Sequence, residues 1–227
     1  MLYSILNGQG ISFINVLVEL LASLMVIIVV LPFHELAHGF VAYKLGDDTA
    51  KRANRLTFNP IHHLNYLGAL CLILVGFGWA DPVPVDPRNF KHPKRDMALV
   101  ALAGPVANLI AALVGALLFN AFITFVPYST GMLYMSVSIF LQYYISVNIG
   151  LAVFNLIPLP PLDGSKILGA FLPEKTYVKM LMNERMLSMI LLLLIFLNVV
   201  DKLVTFPRIL LESFIFFIGS LPFIPFH

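Results

Sequence analysis

The chain has 227 residues, 59% of them hydrophobic and 11% charged, with a formal net charge of +2. Soluble domains carry about 25% charged residues, so this composition excludes a disordered chain and points to lipid as the main solvent. The small net charge gives a nucleic-acid partner no electrostatic support, and the single cysteine, Cys71, excludes both an intramolecular disulfide and a cysteine-built metal site.

A spanning helix needs about 20 mostly apolar residues. Read in chain order, the first such segment runs from Ile11 to Tyr43. The stretch ahead of it has no basic residue, which predicts a retained segment rather than a cleaved signal peptide. Further spans are predicted at Met97–Ile123, Met132–Leu156, Leu187–Val204 and Ile209–Phe223, the last two joined as a hairpin through Thr205, Phe206 and Pro207.

A sixth apolar stretch, Tyr66–Ala80, has only about 15 residues, a length typical of re-entrant segments. It leads into Pro82-Val83-Pro84-Val85-Asp86-Pro87, an alternation suited to an extended edge strand. The expected fold is therefore an all-α membrane protein. It is a multi-pass helical bundle of about five or six segments, with a re-entrant, partly β loop between the first and second long helices. One integral-membrane domain is expected over residues 1–227, with a core at 11–168 and a C-terminal hairpin at 187–223.

Charge placement supports the excursion. If Tyr66–Ala80 does not cross, residues 44–97 and 157–186 share a side and hold 12 of the 14 lysines and arginines, with Lys202 and Arg208 on the other side. Positive residues favour the cytoplasm, so the expected location is a cell membrane with the basic side cytoplasmic and the N-terminus outside.

Residues 34–38 read His-Glu-Leu-Ala-His. On a helix, positions i and i+4 share a face, so both imidazoles reach one ion. The intervening Glu35 sits beside the metal without needing to bind it and can accept a proton from water. Three protein ligands and an open position make a catalytic zinc site. The run Leu20–Phe33 has no charge and the ionisable groups follow it at once, near the cytoplasmic boundary; within a membrane such groups are functional by default, the blander reading being a helix end where polar residues reach water. The third ligand must arrive at the same depth. Asp163 qualifies, following the third long helix after the breaks at Pro160 and Pro161, with Gly164 beside it for a tight turn.

Three motifs in order now resemble one family. His34-Glu35-Leu36-Ala37-His38, Gly104-Pro105-Val106-Ala107-Asn108 and Asn155-Leu156-Ile157-Pro158 through Asp163-Gly164 are together similar to the site-2 proteases, in the short prokaryotic form without PDZ or CBS domain. The likeness runs from about Leu31 to Leu168, some three-fifths of the chain. It implies a membrane-embedded metalloprotease using one zinc ion (Zn2+) to hydrolyse transmembrane protein or peptide substrates. It puts the ligand roles on His34, His38 and Asp163, the base on Glu35, and oxyanion or substrate-carbonyl support on Asn155. It also implies that an edge near Phe77–Val85, including Trp79 and Val83, holds the unwound substrate.

Other residues admit blander readings. Asn108 either lines the site or makes an interhelical hydrogen bond. Asn148 and Gln142 read as packing polars, and Glu19 as a solvated or snorkelling group at the outer interface. His62 and His63 are rival ligands but read as loop residues facing water, as does His92. Tyr66 and Trp79 fit interface anchors. The basic clusters at 44–55 and 88–95 fit contacts with membrane lipids. The rival function is a non-enzymatic divalent-metal transporter or sensor, which has no use for a non-ligating Glu35. Substrate identity and oligomeric state are not legible.

Overall fold

The computed structural model describes residues 21, 24–75 and 78–226. The chain divides into two compact units between Asp86 and Pro87, and each is described by itself.

The first unit is built on helix α1, Leu31–Lys44, which continues from a π-helical stretch at Val26–Val30. Pro32 in its first turn lacks an N–H and crowds the preceding carbonyls. The wider π spacing, with the Leu31 N–H donating to the Val26 carbonyl, lets the helix pass through it. Glycine ends α1. Gly46 has φ of 108°, its N–H donates to the Tyr43 carbonyl at 3.2 Å, and the Asp47 N–H donates to the Ala42 carbonyl at 3.0 Å. These two bonds form a Schellman motif, and they set Asp47 tucked beneath the end of α1.

Helix α2, Tyr66–Val75, has 10 residues and reaches about 15 Å, half the hydrocarbon thickness. The chain returns to where it set out. The Asp81 N–H donates to the His63 carbonyl at 2.9 Å, and the Asn65 amide donates to the Asp81 carboxylate at 2.7 Å. Gly68 permits the close pass, because any Cβ there would clash with the Trp79 backbone. The in-and-out path expected for this segment is therefore formed.

The expected strand is not. Among the described residues there is no β-strand, and residues 78–86 have no regular secondary structure. Prolines 82, 84 and 87 remove three of the six ladder donors from 82 to 87. Two of the remaining N–H groups are taken by distant carboxylates, Val83 by Glu35 and Asp86 by Asp47.

The second unit is a helical bundle. Helix α3, Pro93–Phe125, is 33 residues long, about 50 Å. Helix α4 spans Met132–Asn155. Short helices α5, Asp163–Phe171, and α6, Glu174–Met182, follow. Helices α7, Glu184–Phe196, and α8, Val199–Ser220, complete the unit. Association of helices in lipid relies on close backbone approach rather than water exclusion, and the interfaces carry small residues accordingly. A Cβ at Gly115 would lie 2.9 Å from the Tyr144 ring, and one at Gly219 would lie 2.7 Å from the Ala116 methyl. Around them Ala112, Ala116, Ile145, Ile149, Val153 and Ile215 form the core. The opposite stripe of α3, Ile110, Val114 and Leu118, is exposed, as suits a lipid-facing side.

Among the described helices, four are long and apolar enough to cross a membrane: Val26–Lys44, Pro93–Phe125, Leu133–Asn155 and Val199–Pro225. The expected fourth and fifth segments are redrawn. The break falls at Asn198, left-handed with φ of 56°, a conformation asparagine tolerates. Pro207, expected in a connecting turn, lies inside α8. Helix α7, with 13 residues, is about 20 Å long. Val200 at the start of α8 packs with Ile157, Leu162 and Leu191, so Lys202 sits at the same end of this unit as residues 157–162, not at the opposite end. Arg208 lies within α8, paired with Glu212 at 3.2 Å and hydrogen-bonded to Ser146 of α4.

Candidate metal centre

The i, i+4 spacing does in the structure what helical geometry requires. His34 and His38 lie on one face of α1, both buried, with their Nε2 atoms 2.9 Å apart and their rings nearly perpendicular, at 83°. With Glu35 they form a group whose potential ligand atoms all lie within 4.8 Å of one another. Two nitrogens bound tetrahedrally to zinc at 2.0–2.1 Å stand about 3.3 Å apart. The pair therefore fits such an ion after opening by a few tenths of an ångström.

Glu35 is half-buried and is held from outside the helix. Its Oε2 accepts the Val83 N–H at 2.9 Å. Gly39, one residue past His38, lets that loop approach: a Cβ there would lie 2.7 Å from Leu56 and 3.0 Å from Val83. The loop is fixed on both flanks. Arg55 donates to the Asp81 carbonyl at 2.5 Å, and Asp47 accepts the Asp86 N–H at 2.8 Å. Between Pro82 and Pro87, Val85 has the one N–H without a partner among the described residues. The link from Val83 to Glu35 escaped sequence reasoning. Its one sequence trace is a valine whose N–H stands alone between two prolines.

The histidine rivals separate. His62 is exposed. His63, expected to face water, is buried, with its Nε2 2.9 Å from the Thr57 carbonyl and its own carbonyl engaged by Asp81. It anchors the return of the excursion. Trp79 is 41% exposed, and Phe77 and Glu19 lie outside the described residues.

The other predicted residues belong to the second unit. Asp163 is the first residue of α5 and is buried, with Lys166 Nζ 3.2 Å from its Oδ1. Gly164 explains how the carboxylate is set. Any Cβ there would collide with the Leu156 and Ile157 carbonyl oxygens, so α5 starts directly against the end of α4. Asn155, the last residue of α4, is half-buried and donates through Nδ2 to the Leu151 carbonyl at 3.0 Å. Asn108 on α3 is fully buried, and neither side-chain polar atom has a hydrogen-bond partner among the described residues. Buried amides are almost always satisfied; Asn148 is half so, its Nδ2 donating to the Tyr144 carbonyl at 2.8 Å while its Oδ1 has no partner among the described residues, whereas Asn108 has neither bond.

Comparison with known proteins gives a consistent picture. The sequence model of Peptidase family M50 matches residues 22–198. The chain is 41% identical over 188 residues to "Putative zinc metalloprotease YwhC" of Bacillus subtilis (strain 168), covering 81% of this chain and 83% of that protein. It is 31% identical over 150 residues to "Putative zinc metalloprotease Rip2" of Mycolicibacterium smegmatis, 63% of this chain and 54% of that protein. It is 32% identical over 136 residues to "Putative zinc metalloprotease MJ0611" of Methanocaldococcus jannaschii, 60% of this chain and 63% of that protein. No solved structure matches the chain.

Proposed function

Because the chain belongs to Peptidase family M50, we propose that its two units form one protease domain, in which His34, His38 and Asp163 hold a single zinc ion and Glu35 is the general base. The chain is a zinc metalloprotease of the site-2 type, a membrane protein acting within the bilayer. The observation that carries the assignment of roles is the His34–Glu35–His38 group, with two buried imidazoles whose nitrogens lie 2.9 Å apart and a half-buried carboxylate beside them. A metal transporter or sensor needs the histidines but not a non-ligating carboxylate held in place by the Val83 amide.

Zinc, when bound, supplies Lewis acidity, which makes water nucleophilic near neutral pH and polarises a carbonyl. Glu35 takes the proton from the attacking water and returns it to the nitrogen of the departing amine. The second N–H of the Asn155 amide, not used by Leu151, is available to steady the developing oxyanion. Asn108 offers an unsatisfied amide to a substrate carbonyl. A transmembrane substrate must unwind to be cut, and its freed backbone groups then need partners. Val85 offers one N–H to that strand, with Trp79 and Val83 lining its path; Phe77, expected beside them, lies outside the described residues.

The topology that fits is four spans, N-terminus outside and active site toward the cytoplasm. With Lys202 at the 157–162 end, that side collects every lysine and arginine of the chain except Arg208.

Metal removal tests the assignment. Stripping the purified chain with a zinc chelator in detergent abolishes cleavage of a single-pass substrate, and adding back one equivalent of zinc restores it. Cleavage that survives at a measured zinc content near zero rejects the metalloprotease.

A further inference from the structure

The carboxylate of Asp47 is fully buried and wholly committed to hydrogen bonding. Its Oδ1 accepts from the Thr49 N–H at 3.1 Å and from the Thr49 hydroxyl at 2.5 Å. Its Oδ2 accepts from the Asp86 N–H at 2.8 Å. Asp47 is itself fixed by the Schellman motif that closes α1, the helix carrying Glu35. The loop it holds is the one whose Val83 N–H reaches Glu35 Oε2 at 2.9 Å. Pro82 and Pro84 stiffen the backbone on either side of that amide, so movement at Asp86 is transmitted to Val83 rather than absorbed between them.

We propose that Asp47 is a positioning residue for the reaction, fixing the orientation of Glu35 through the Asp81–Asp86 loop and the Val83 amide. This rests on the reading of Glu35 as general base. The circuit is closed: α1 carries the base, the cap of α1 places Asp47, Asp47 fixes the loop, and the loop amide holds the base. It engages the carboxylate oxygen without touching the histidines, so it sets orientation and leaves metal affinity alone. Misplacement of a reacting group by an ångström lowers turnover by about a hundredfold.

Asp47→Asn tests this with almost no change of shape. The amide must turn its NH2 toward either Asp86 N–H or Thr49, so one of the two sets of bonds is lost. The full chain is reconstituted and three quantities are read: kcat and KM on a single-pass substrate, zinc per chain, and deuterium exchange across residues 78–90 in metal-free protein. The expected result is exchange at the Val83 and Asp86 amides faster by about tenfold, kcat lower by about tenfold to a hundredfold, KM within about twofold of wild type, and unchanged zinc. Val83→Pro, which deletes the donor itself, reproduces the kcat loss while Asp86 stays protected, and it decides the question should Asp47→Asn fail to fold. Loosened exchange with full kcat overturns the proposal, as does a loss of kcat that only tracks loss of zinc. Exchange at Val83 unaltered by Asp47→Asn overturns it even if the wild-type chain proves not to cleave, an outcome that would separately reject the protease reading.

Discussion

Glu35→Gln abolishes cleavage and leaves zinc in place. General acid–base catalysis contributes about a hundredfold to ten-thousandfold, and Glu35 is proposed to act twice, on water and on the leaving amine. The loss of kcat is therefore expected at or beyond the upper end of that range. The substitution is nearly isosteric, and the glutamine carbonyl oxygen still accepts the Val83 N–H, so the loop at 81–86 keeps its anchor. His34 and His38 are untouched, so zinc per chain should match wild type. The assay is cleavage of a single-pass substrate in proteoliposomes, paired with zinc analysis of the same preparation. In cells, single-pass proteins that accumulate with Glu35→Gln and not with wild type are candidate substrates. Wild-type turnover by the variant would remove Glu35 from the mechanism.

The second large effect is expected at Asp163. Asp163→Ala should reduce bound zinc severalfold and cleavage by at least about a thousandfold, since removing one of three protein ligands leaves an incomplete catalytic site. The fold of its own unit should survive. The start of α5 is set by Gly164 against the Leu156 and Ile157 carbonyls, and Ser165 Oγ still donates to the Leu162 carbonyl at 2.7 Å. Zinc retained at wild-type level would transfer the third ligand elsewhere. His63 is one alternative, because its Nε2 is engaged with the Thr57 carbonyl while its buried Nδ1 has no partner among the described residues. His62, which is exposed, is the other to test.

The chemistry was legible in the sequence because it is local. Five residues of helical spacing suffice to bring His34, Glu35 and His38 together, and no tertiary contact is needed to see it. The return of the chain over 63–81 was legible from the short apolar stretch Tyr66–Ala80 and from the placement of the lysines and arginines on either side of it. The loop that follows was misread for an equally physical reason. Alternation of valine and proline has the period of a strand, but a strand also requires a ladder partner. Here the partners are the side chains of Glu35 and Asp47, 48 and 39 residues away in the chain. Pattern reading has no access to contacts of that range. The turn of the C-terminal hairpin was displaced for a different reason. Proline marks a break in a soluble helix, yet helices in lipid tolerate proline, and Pro207 and Arg208 both lie inside α8. The actual break was marked by Asn198, a residue suited to left-handed backbone. Arg208 then gains Glu212 and Ser146 as partners, which a charged group within a span requires.

The central claim is that two imidazoles of α1 and the carboxylate that opens α5 share one zinc ion. X-ray absorption at the zinc edge of the purified chain reads those donors directly. The account predicts one zinc per chain with two imidazole nitrogens and a remaining shell of oxygen, the imidazole signal disappearing in a His34→Ala, His38→Ala double variant and the oxygen shell changing in Asp163→Ala. A shell with three imidazoles, a sulfur donor from Cys71, or a spectrum indifferent to Asp163→Ala would contradict it.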